Sequence, residues 1–201
     1  SIGPDVVEIA SLSANGYFTY DPGFVSTAAC ESKITYIDGS AGVLLHRGYP
    51  IDELAEHSNH LETSYLLLNG DLPNPQQMQT FEKNIMQHAE LDQQIELTFS
   101  GFRQDAHPMA MLTSLLGTLS AYYHNDLDNT NANQRQMISQ HLIAKLPTIA
   151  AMIYKHGLKE SFIKPDSTLS YAGNFLHMMF STEHKKFEIS PVVSKAMDKI
   201  F

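Results

Sequence analysis

The spacing of hydrophobic residues changes near residue 50 of the chain. Before that point, apolar and polar residues alternate with a period near two between turns that contain Gly and Pro, a pattern typical of short strands. After it the period is about 3.6 and continues to the end of the chain, which indicates helices. The pattern predicts a mainly α-helical fold, with a small β-rich segment over residues 1–50 and a helical part over residues 51–201.

Two kinds of strand signal are present in the β-rich segment. β-Branched and aromatic residues predict strands at residues 6–10 and 17–20, separated by a turn that ends at Gly16. A β-hairpin is predicted from residues 33–37 and 43–46, because the glycine-containing loop between them is typical of hairpin connections. We therefore expect a small set of strands that includes one hairpin.

Several helix boundaries can be predicted from residue type. Asn69-Gly70 is a C-terminal cap signal, because Gly tolerates a left-handed backbone. Asn74-Pro75 is an N-terminal signal, because a first turn leaves its amide hydrogens unused and Pro has none. Pro147 lies inside the longest predicted helix and is expected to kink it. The predicted helices cover residues 51–57, 60–68, 75–88, 91–102, 108–123, 131–155 (or 133–155), 169–180 and 191–201.

Two of these helices have informative faces. The longest has a predicted apolar stripe made of Ile138, Leu142, Leu146, Ile149 and Ile153. The helix over residues 108–123 carries no charge, and small residues line one of its faces: Ala110, Ser114, Gly117 and Ala121. A helix that is apolar nearly all round must be covered on most sides. We expect it to be buried, either at the centre of the core or at a subunit interface.

Composition excludes several classes of protein. With 43% hydrophobic residues, the chain is neither a disordered polymer nor a membrane protein. Its 13 Lys and Arg against 22 Asp and Glu give a formal net charge of −9. That balance argues against nonspecific nucleic-acid binding but not against anionic small molecules in a local basic pocket. The single cysteine, Cys30, excludes an intramolecular disulfide and a multi-cysteine zinc site, and it fits a reducing, cytoplasmic location.

Candidate chemistry is sparse. His57 and His60 come closest to a metal-ligand spacing, but no further ligand joins them, and we interpret both as surface histidines. His107 precedes a predicted helix, where capping of the helix is favoured over ligand binding. Cys30 has no cationic neighbour in sequence that would activate its thiol. Without a nucleophile elbow, phosphate-binding loop or dinucleotide fingerprint, the residues predict no catalytic constellation and no metal site.

One weak cluster remains. His141 and Lys145 are four residues apart and therefore lie on the same side of one predicted helix. His88 and Tyr123 lie near the ends of two other predicted helices. Such a set forms either an anion pocket or a solvated helix face, and the residues alone leave both alternatives open.

The last predicted helix has a start signal but no stop signal. Ser190-Pro191 is typical of a helix start, whereas no Gly, Asn or Pro precedes the final residue, Phe201. We interpret Phe201 as a cut in a longer chain; the alternative is a natural end buried against the core.

Six ordered segments carry a family resemblance, although none is a motif of generic chemistry. They are FTYDPGF (residues 18–24), SKITYIDG (32–39), LLHRGYPI (44–51), FRQDAHPM (102–109), KLPT (145–148) and LSYAGNFL (169–176). Together they resemble the amino-terminal part of citrate synthases, most closely the Gram-negative bacterial, hexameric type. The resemblance covers essentially the whole chain.

The resemblance implies a large, mainly α-helical enzyme built on a homodimer, and in the hexameric type on a trimer of dimers. Citrate synthases condense acetyl-CoA with oxaloacetate at the entry of the tricarboxylic acid cycle, using an Asp base, two His and carboxylate-binding Arg residues, and no cofactor. By resemblance all of these catalytic residues lie beyond Phe201. None is therefore assigned here, and the chain alone is expected to be inactive.

The same resemblance implies an interface and leaves two alternatives. The helices predicted over residues 91–102 and 108–123 resemble those packed across the dimer interface of the family. One alternative is 2-methylcitrate synthase, which takes propionyl-CoA in place of acetyl-CoA. The other is that the chain as given is a noncatalytic helical dimerisation module.

The hexameric type also carries an allosteric site for NADH in this part of the chain. Three residues match that site: His88, Tyr123 and Lys145. Three positions depart from it, since Gln87 and His141 stand where well-known members have Arg, and His184 stands where they have Cys. Because neutral Gln and His cannot replace the charged fork of Arg at a pyrophosphate, we expect weak or absent inhibition by NADH near neutral pH.

Overall fold

The computed structural model describes residues 6–28 and 30–201, which fall into two units. One ends at Ile51 and the other extends from Asp52 to Phe201. The first contains a short helix and a three-stranded antiparallel sheet in the order β1-β2-β3. These elements are α1 (Ala10–Ala14), β1 (Thr35–Asp38), β2 (Val43–His46) and β3 (Tyr49–Pro50).

The predicted hairpin is confirmed. β1 pairs with β2 from Thr35 opposite His46 to Asp38 opposite Val43. A carboxylate oxygen of Asp38 accepts hydrogen bonds of 3.0 Å from the amides of Ser40 and Ala41, which closes the connection locally. The third strand is not predicted by the sequence pattern, because it is only two residues long and follows a tight turn at Arg47-Gly48, where both residues have positive φ.

The two strands predicted before the hairpin are wrong. Residues 6–9 have no regular structure and lead into α1, and residues 17–20 belong to no strand. The turn that ends at Gly16 is confirmed. A strand needs a neighbour that satisfies its backbone groups, and residue type alone does not supply one. In α1, the Asn15 side chain instead donates to the carbonyl of Ser11, which supports a local helical turn.

The remaining part of the chain is helical, as predicted. The helix over residues 51–57 is confirmed with the same ends, and most others agree within a few residues. The helices are α2 (Ile51–His57), α3 (His60–Asn69), α4 (Pro75–Gln87), α5 (Gln93–Leu97), α6 (Pro108–Tyr122), α7 (Ala132–Leu158), α8 (Tyr171–Phe180) and α9 (Pro191–Ile200).

Local hydrogen bonds determine the helix ends that the sequence predicts. Gly70 ends α3 with a φ of 95°, and its amide donates to the Leu66 carbonyl at 2.8 Å. Asn74 begins α4 in a capping box, in which its side chain accepts from the Gln77 amide and the Gln77 side chain accepts from the Asn74 amide. Ser190 precedes α9 as predicted, but its hydroxyl makes no capping hydrogen bond.

The helix predicted over residues 91–102 is shorter and less regular than expected. It consists of α5 followed by a 3₁₀ turn, Thr98–Gly101. The Asp92 side chain accepts from the Gln94 amide and so defines the start of α5. Leu91, Ile95 and Phe99 are nevertheless buried, because the 3₁₀ turn keeps them on one side.

The longest helix, α7, continues through Pro147 without a break. Its predicted apolar stripe is correct in part, since Ile149 and Ile153 are buried but Leu142 is 37% exposed. The buried surface is wider than a single stripe because α7 packs against α4, α6 and α8. It therefore includes two lysines, Lys145 and Lys155.

The largest core cluster lies between α5, α6 and α7. Helix α6 contributes one buried side, formed by Met111, Leu115 and Leu119. Its small-residue face is exposed, and a side-chain carbon added at Gly117 would meet no atom of another described element within 4 Å. The alternative that places this helix at the centre of the core is therefore wrong, whereas burial at a subunit interface stays a prediction. The small-residue face comprises Ala110, Ser114, Gly117 and Ala121.

Helix α9 packs against α8 and contacts the start of α3. The carboxylate of Asp198 accepts a hydrogen bond from the His60 amide at 3.3 Å. The ring of Phe201 lies 5.4 Å from that of His60 and 5.5 Å from that of Tyr171. Among the described residues, no helix combines the length and the apolar character needed to span a bilayer.

Candidate functional site

The structure brings together the four residues of the weak sequence cluster. His88 follows the end of α4, Tyr123 follows the end of α6, and His141 and Lys145 lie on α7. The ring centroids of His88 and His141 are 4.4 Å apart, and those of Tyr123 and His141 are 5.9 Å apart. The Lys145 ammonium reaches the backbone carbonyl of His88 at 2.9 Å. The cluster therefore forms one continuous site.

Lys145 is buried to an unusual degree for a cation, with 5% of its surface exposed. Its Nζ donates to the carbonyls of His88 at 2.9 Å and of Glu90 at 2.7 Å. Burial lowers the pKa of Lys145, while the negative charges of Asp92 and Glu90 oppose that change. No carboxylate of the described residues forms an ion pair with its ammonium.

Two aromatic members of the site, His141 and Tyr123, have pKa values shifted by their surroundings. Burial lowers the pKa of His141, and the neighbouring His88 and Lys145 lower it further, whereas Asp126 acts in the opposite direction. Burial and the charge of Asp92 raise the pKa of Tyr123. The shift of His141 favours its uncharged imidazole at neutral pH, beside the buried amine of Lys145.

A cavity of about 310 Å³ opens beside this cluster. It lies between the second half of α6, the 3₁₀ turn His124–Asp126 and the first half of α7. Its wall is mainly apolar, and Lys145, His141, Tyr123, Ser120 and Asp126 supply polar groups. The apolar wall consists of Leu116, Leu119, Leu127, Met137, Ile138 and Leu142. A cavity of this size and character accommodates a small ligand that is largely apolar.

Three of the residues named from the family pattern do not line this cavity: His88, whose ring contacts that of His141, and Gln87 and His184. Gln87 is the last residue of α4, is exposed, and lines a separate polar groove with Thr168 and Tyr171. His184 is exposed in the turn that is closed by the bridge between Thr182 and Lys185. The structure thus assembles four of the six named positions into one site.

The other candidate residues, His57, His60, His107 and Cys30, are not part of this cluster. His57 is exposed as expected. The interpretation of His60 as a surface histidine is wrong, because it is half-buried and its ring stacks on Tyr171 at 5.0 Å. In the described part of the chain, no three His, Cys, Asp or Glu side chains are grouped as metal ligands would be. His107 caps α6, because its Nδ1 accepts a hydrogen bond from the Met109 amide at 3.2 Å, as expected. Cys30 is an exposed free thiol.

A second buried polar network, which the sequence pattern does not predict, lies at the far end of α7. The Lys155 ammonium donates to the Ser181 carbonyl at 2.6 Å and also contacts the carboxylate of Glu160. The Ser181 hydroxyl lies 2.9 Å from Nδ1 of His177 and accepts a hydrogen bond from the Phe187 amide at 2.9 Å. The one signal in the sequence is that Lys155 lies on the same side of the helix as Met152. That position does not identify the hydrogen-bond partners of Lys155.

Comparison with known proteins agrees with this architecture. The family model described as "Citrate synthase, C-terminal domain" matches residues 23–201. Among solved structures, citrate synthase from Pyrobaculum aerophilum is 29% identical, with a TM-score of 0.76 over 85% of this chain and 43% of that chain. Citrate synthase from Thermotoga maritima MSB8 is 25% identical, with a TM-score of 0.72 over 90% of this chain and 45% of that one.

A third structure supports the fold alone. Citrate synthase from Thermoplasma acidophilum, in a ternary complex with carboxymethyl coenzyme A and oxaloacetate, is 20% identical, with a TM-score of 0.76 over 87% of this chain and 44% of that chain. The chain thus spans less than half the length of each of these three structures. Since the family model extends over most of the sequence, the chain belongs to the citrate synthase family.

Proposed function

We propose that the protein which carries this chain is a citrate synthase that condenses acetyl-CoA with oxaloacetate to give citrate and CoA. The observation that carries this proposal is the family match over residues 23–201, supported by the helical architecture shared with solved citrate synthases. The proposed location is the cytoplasm, and the substrates are the only small molecules that the reaction requires. The catalytic residues are proposed to lie outside these 201 residues, as the family resemblance implies.

The reaction is tested by comparing two acyl-CoA substrates with the full-length protein. Citrate formation from acetyl-CoA and oxaloacetate, with a kcat/KM well above that for propionyl-CoA, is the expected result. A preference for propionyl-CoA would instead support the 2-methylcitrate synthase alternative. The 201-residue chain alone is expected to give no citrate above the buffer control, and turnover by it would contradict the proposed place of the catalytic residues.

We also propose that the basic assembly is a homodimer, and that three dimers associate as in the hexameric type. The support is the small-residue face of α6, which is exposed in this chain although α6 is uncharged along its length. Small side chains let a second helix approach closely, so this face is suited to helix packing across an interface. The absence of charged residues from α6 reduces the cost of removing that face from water.

Regulation by NADH is proposed to be weak or absent. A pyrophosphate needs several cations or directed donors, as Arg provides with its charged fork. Here the Lys145 ammonium is already bound to two backbone carbonyls, His141 is uncharged near neutral pH, and Gln87 lies outside the cavity. The site therefore offers a dinucleotide much less positive charge than the family pattern does.

A further inference from the structure

Lys145 is buried and forms no ion pair with a carboxylate of the described residues, although the negative charges of Asp92 and Glu90 act on its ammonium from nearby. Its two hydrogen-bond acceptors, the carbonyls of His88 and Glu90, are both neutral. Buried charges in proteins are normally paired, because removing an ion from water is costly. An ammonium has three donors, and two of them are used here. One donor of the ammonium therefore has no acceptor among the described residues and is available to a ligand.

In contrast to the charged Lys145, the cavity beside it is mainly apolar. Six apolar side chains of α6, α7 and the turn between them form most of its wall, as described above. Asp126 also lines it, but this residue is exposed, so water screens its charge and it forms no ion pair with Lys145. A ligand that complements the whole site must join an anionic group to an apolar body.

We propose that this cavity binds a small monocarboxylate with an apolar tail, whose carboxylate contacts the Lys145 ammonium and whose tail lies among the apolar side chains of α6 and α7. A carboxylate matches the single available cation with one charge-assisted hydrogen bond. A polyanion such as a pyrophosphate would place further negative charge against an apolar wall without compensation. The proposal does not depend on which acyl-CoA the enzyme uses.

The binding site is tested first with a series of three ligands that share one tail. Octanoate, octan-1-ol and octylamine are titrated separately into the full-length protein at neutral pH, and binding is followed by isothermal titration calorimetry. Octanoate is expected to saturate one site per chain with about tenfold higher affinity than octan-1-ol, because a hydrogen bond to a charged group exceeds a neutral one. Octylamine is expected not to bind, because its charge repels Lys145.

Two variants locate the site. Lys145→Met removes the charge with little change in length and should reduce the affinity for octanoate to that for octan-1-ol. Leu116→Trp fills the cavity and should abolish binding of both ligands. Lys83→Met, which removes an exposed lysine on α4, is the matched control and should leave both affinities unchanged.

The proposal is overturned by any of three results. These are equal affinities of the wild-type protein for octanoate and octan-1-ol, octanoate binding that never saturates, and octanoate binding that survives Leu116→Trp. The ligand series with the wild-type protein decides the question even where Lys145→Met fails to fold.

Discussion

The ammonium nitrogen of Lys155 donates a hydrogen bond of 2.6 Å to the backbone carbonyl of Ser181, which joins the end of α7 to the end of α8. Both residues are almost fully buried. Lys155→Met would leave the carbonyl of Ser181 without its donor and Glu160 without its cation. We expect the free energy of unfolding in urea to fall by about 3 kcal/mol.

Lys159→Met is the matched control for this measurement. Lys159 lies four residues further along the chain and is exposed. Its removal should change the free energy of unfolding by less than about 0.5 kcal/mol. Equal effects of the two substitutions would show that the link between Lys155 and Ser181 does not stabilise the fold.

A second prediction concerns the buried hydroxyl of Thr148. It donates to the carbonyl of Ala89 at 2.8 Å and so binds the connection between α4 and α5 to α7. Thr148→Val keeps the shape of the side chain but leaves that carbonyl unsatisfied, and should reduce the free energy of unfolding by about 1–3 kcal/mol. Thr113→Val is the control, since Thr113 is exposed and donates only to the carbonyl of Met109 within its own helix.

Stability should decrease as the pH falls below about 6.5. Burial lowers the pKa of His60, His141 and His177 from the ordinary value of 6.5. In this range the unfolded chain binds protons that the folded chain does not, so protonation favours unfolding. The carboxylates with resolved shifts, such as Asp92, have pKa values lowered from 3.8 and titrate at lower pH.

The pH prediction is measured as the free energy of unfolding in urea between pH 8 and pH 5. The wild-type chain should lose stability progressively below about pH 6.5. His60→Phe retains a ring against Tyr171 but cannot bind a proton, so its stability should depend less steeply on pH. A slope as steep as that of the wild type would exclude His60 as a contributor.

The small-residue face gives a prediction about assembly. Gly117 has open space around it in this chain, so Gly117→Leu should fold without a clash within the chain. If a second helix packs on this face in the full-length protein, the added side chain should shift the dimer towards monomers in analytical ultracentrifugation. Gln76→Leu, at an exposed position on α4, is the control for added surface hydrophobicity. An unchanged sedimentation coefficient for Gly117→Leu would contradict the proposed interface.

Inhibition by NADH offers a test of the proposed regulation. The full-length enzyme should be inhibited weakly or not at all by micromolar NADH near neutral pH, because His141 and Gln87 lack permanent charge. The double substitution Gln87→Arg with His141→Arg should strengthen inhibition. Strong inhibition of the wild-type enzyme at micromolar concentrations would be inconsistent with the proposal.

Elements with chemically defined ends can be predicted from sequence, whereas elements that depend on distant partners cannot. Asn74 and Gly70 act within one turn of their own helices, and the predictions for both are confirmed. The strands expected at residues 6–10 and 17–20 have suitable residue types, but no strand in the described part of the chain pairs with them. β-Propensity describes the fit to a sheet that must already exist, which explains this failure.

In the candidate site, too, the sequence predicts the local arrangement but not the distant contacts. The spacing of His141 and Lys145 correctly places both on one side of a helix. Their partners come from the connection after α4, since Lys145 reaches carbonyls 57 and 55 residues away in sequence. Hydrophobic periodicity does not predict such a contact. Because every residue has a backbone carbonyl, residue type does not identify these acceptors either.

The polar side chains of α7 also bear on how the helical unit unfolds. Lys145 and Thr148 bind three successive carbonyls of the connection after α4, at His88, Ala89 and Glu90, and Lys155 binds that of Ser181. Connections of this kind usually open first, at little cost in free energy. Here they are held by a helix that is itself buried over much of its length, so we expect their amides to exchange hydrogen only when α7 opens. The two connections and α7 would then behave as one cooperative block.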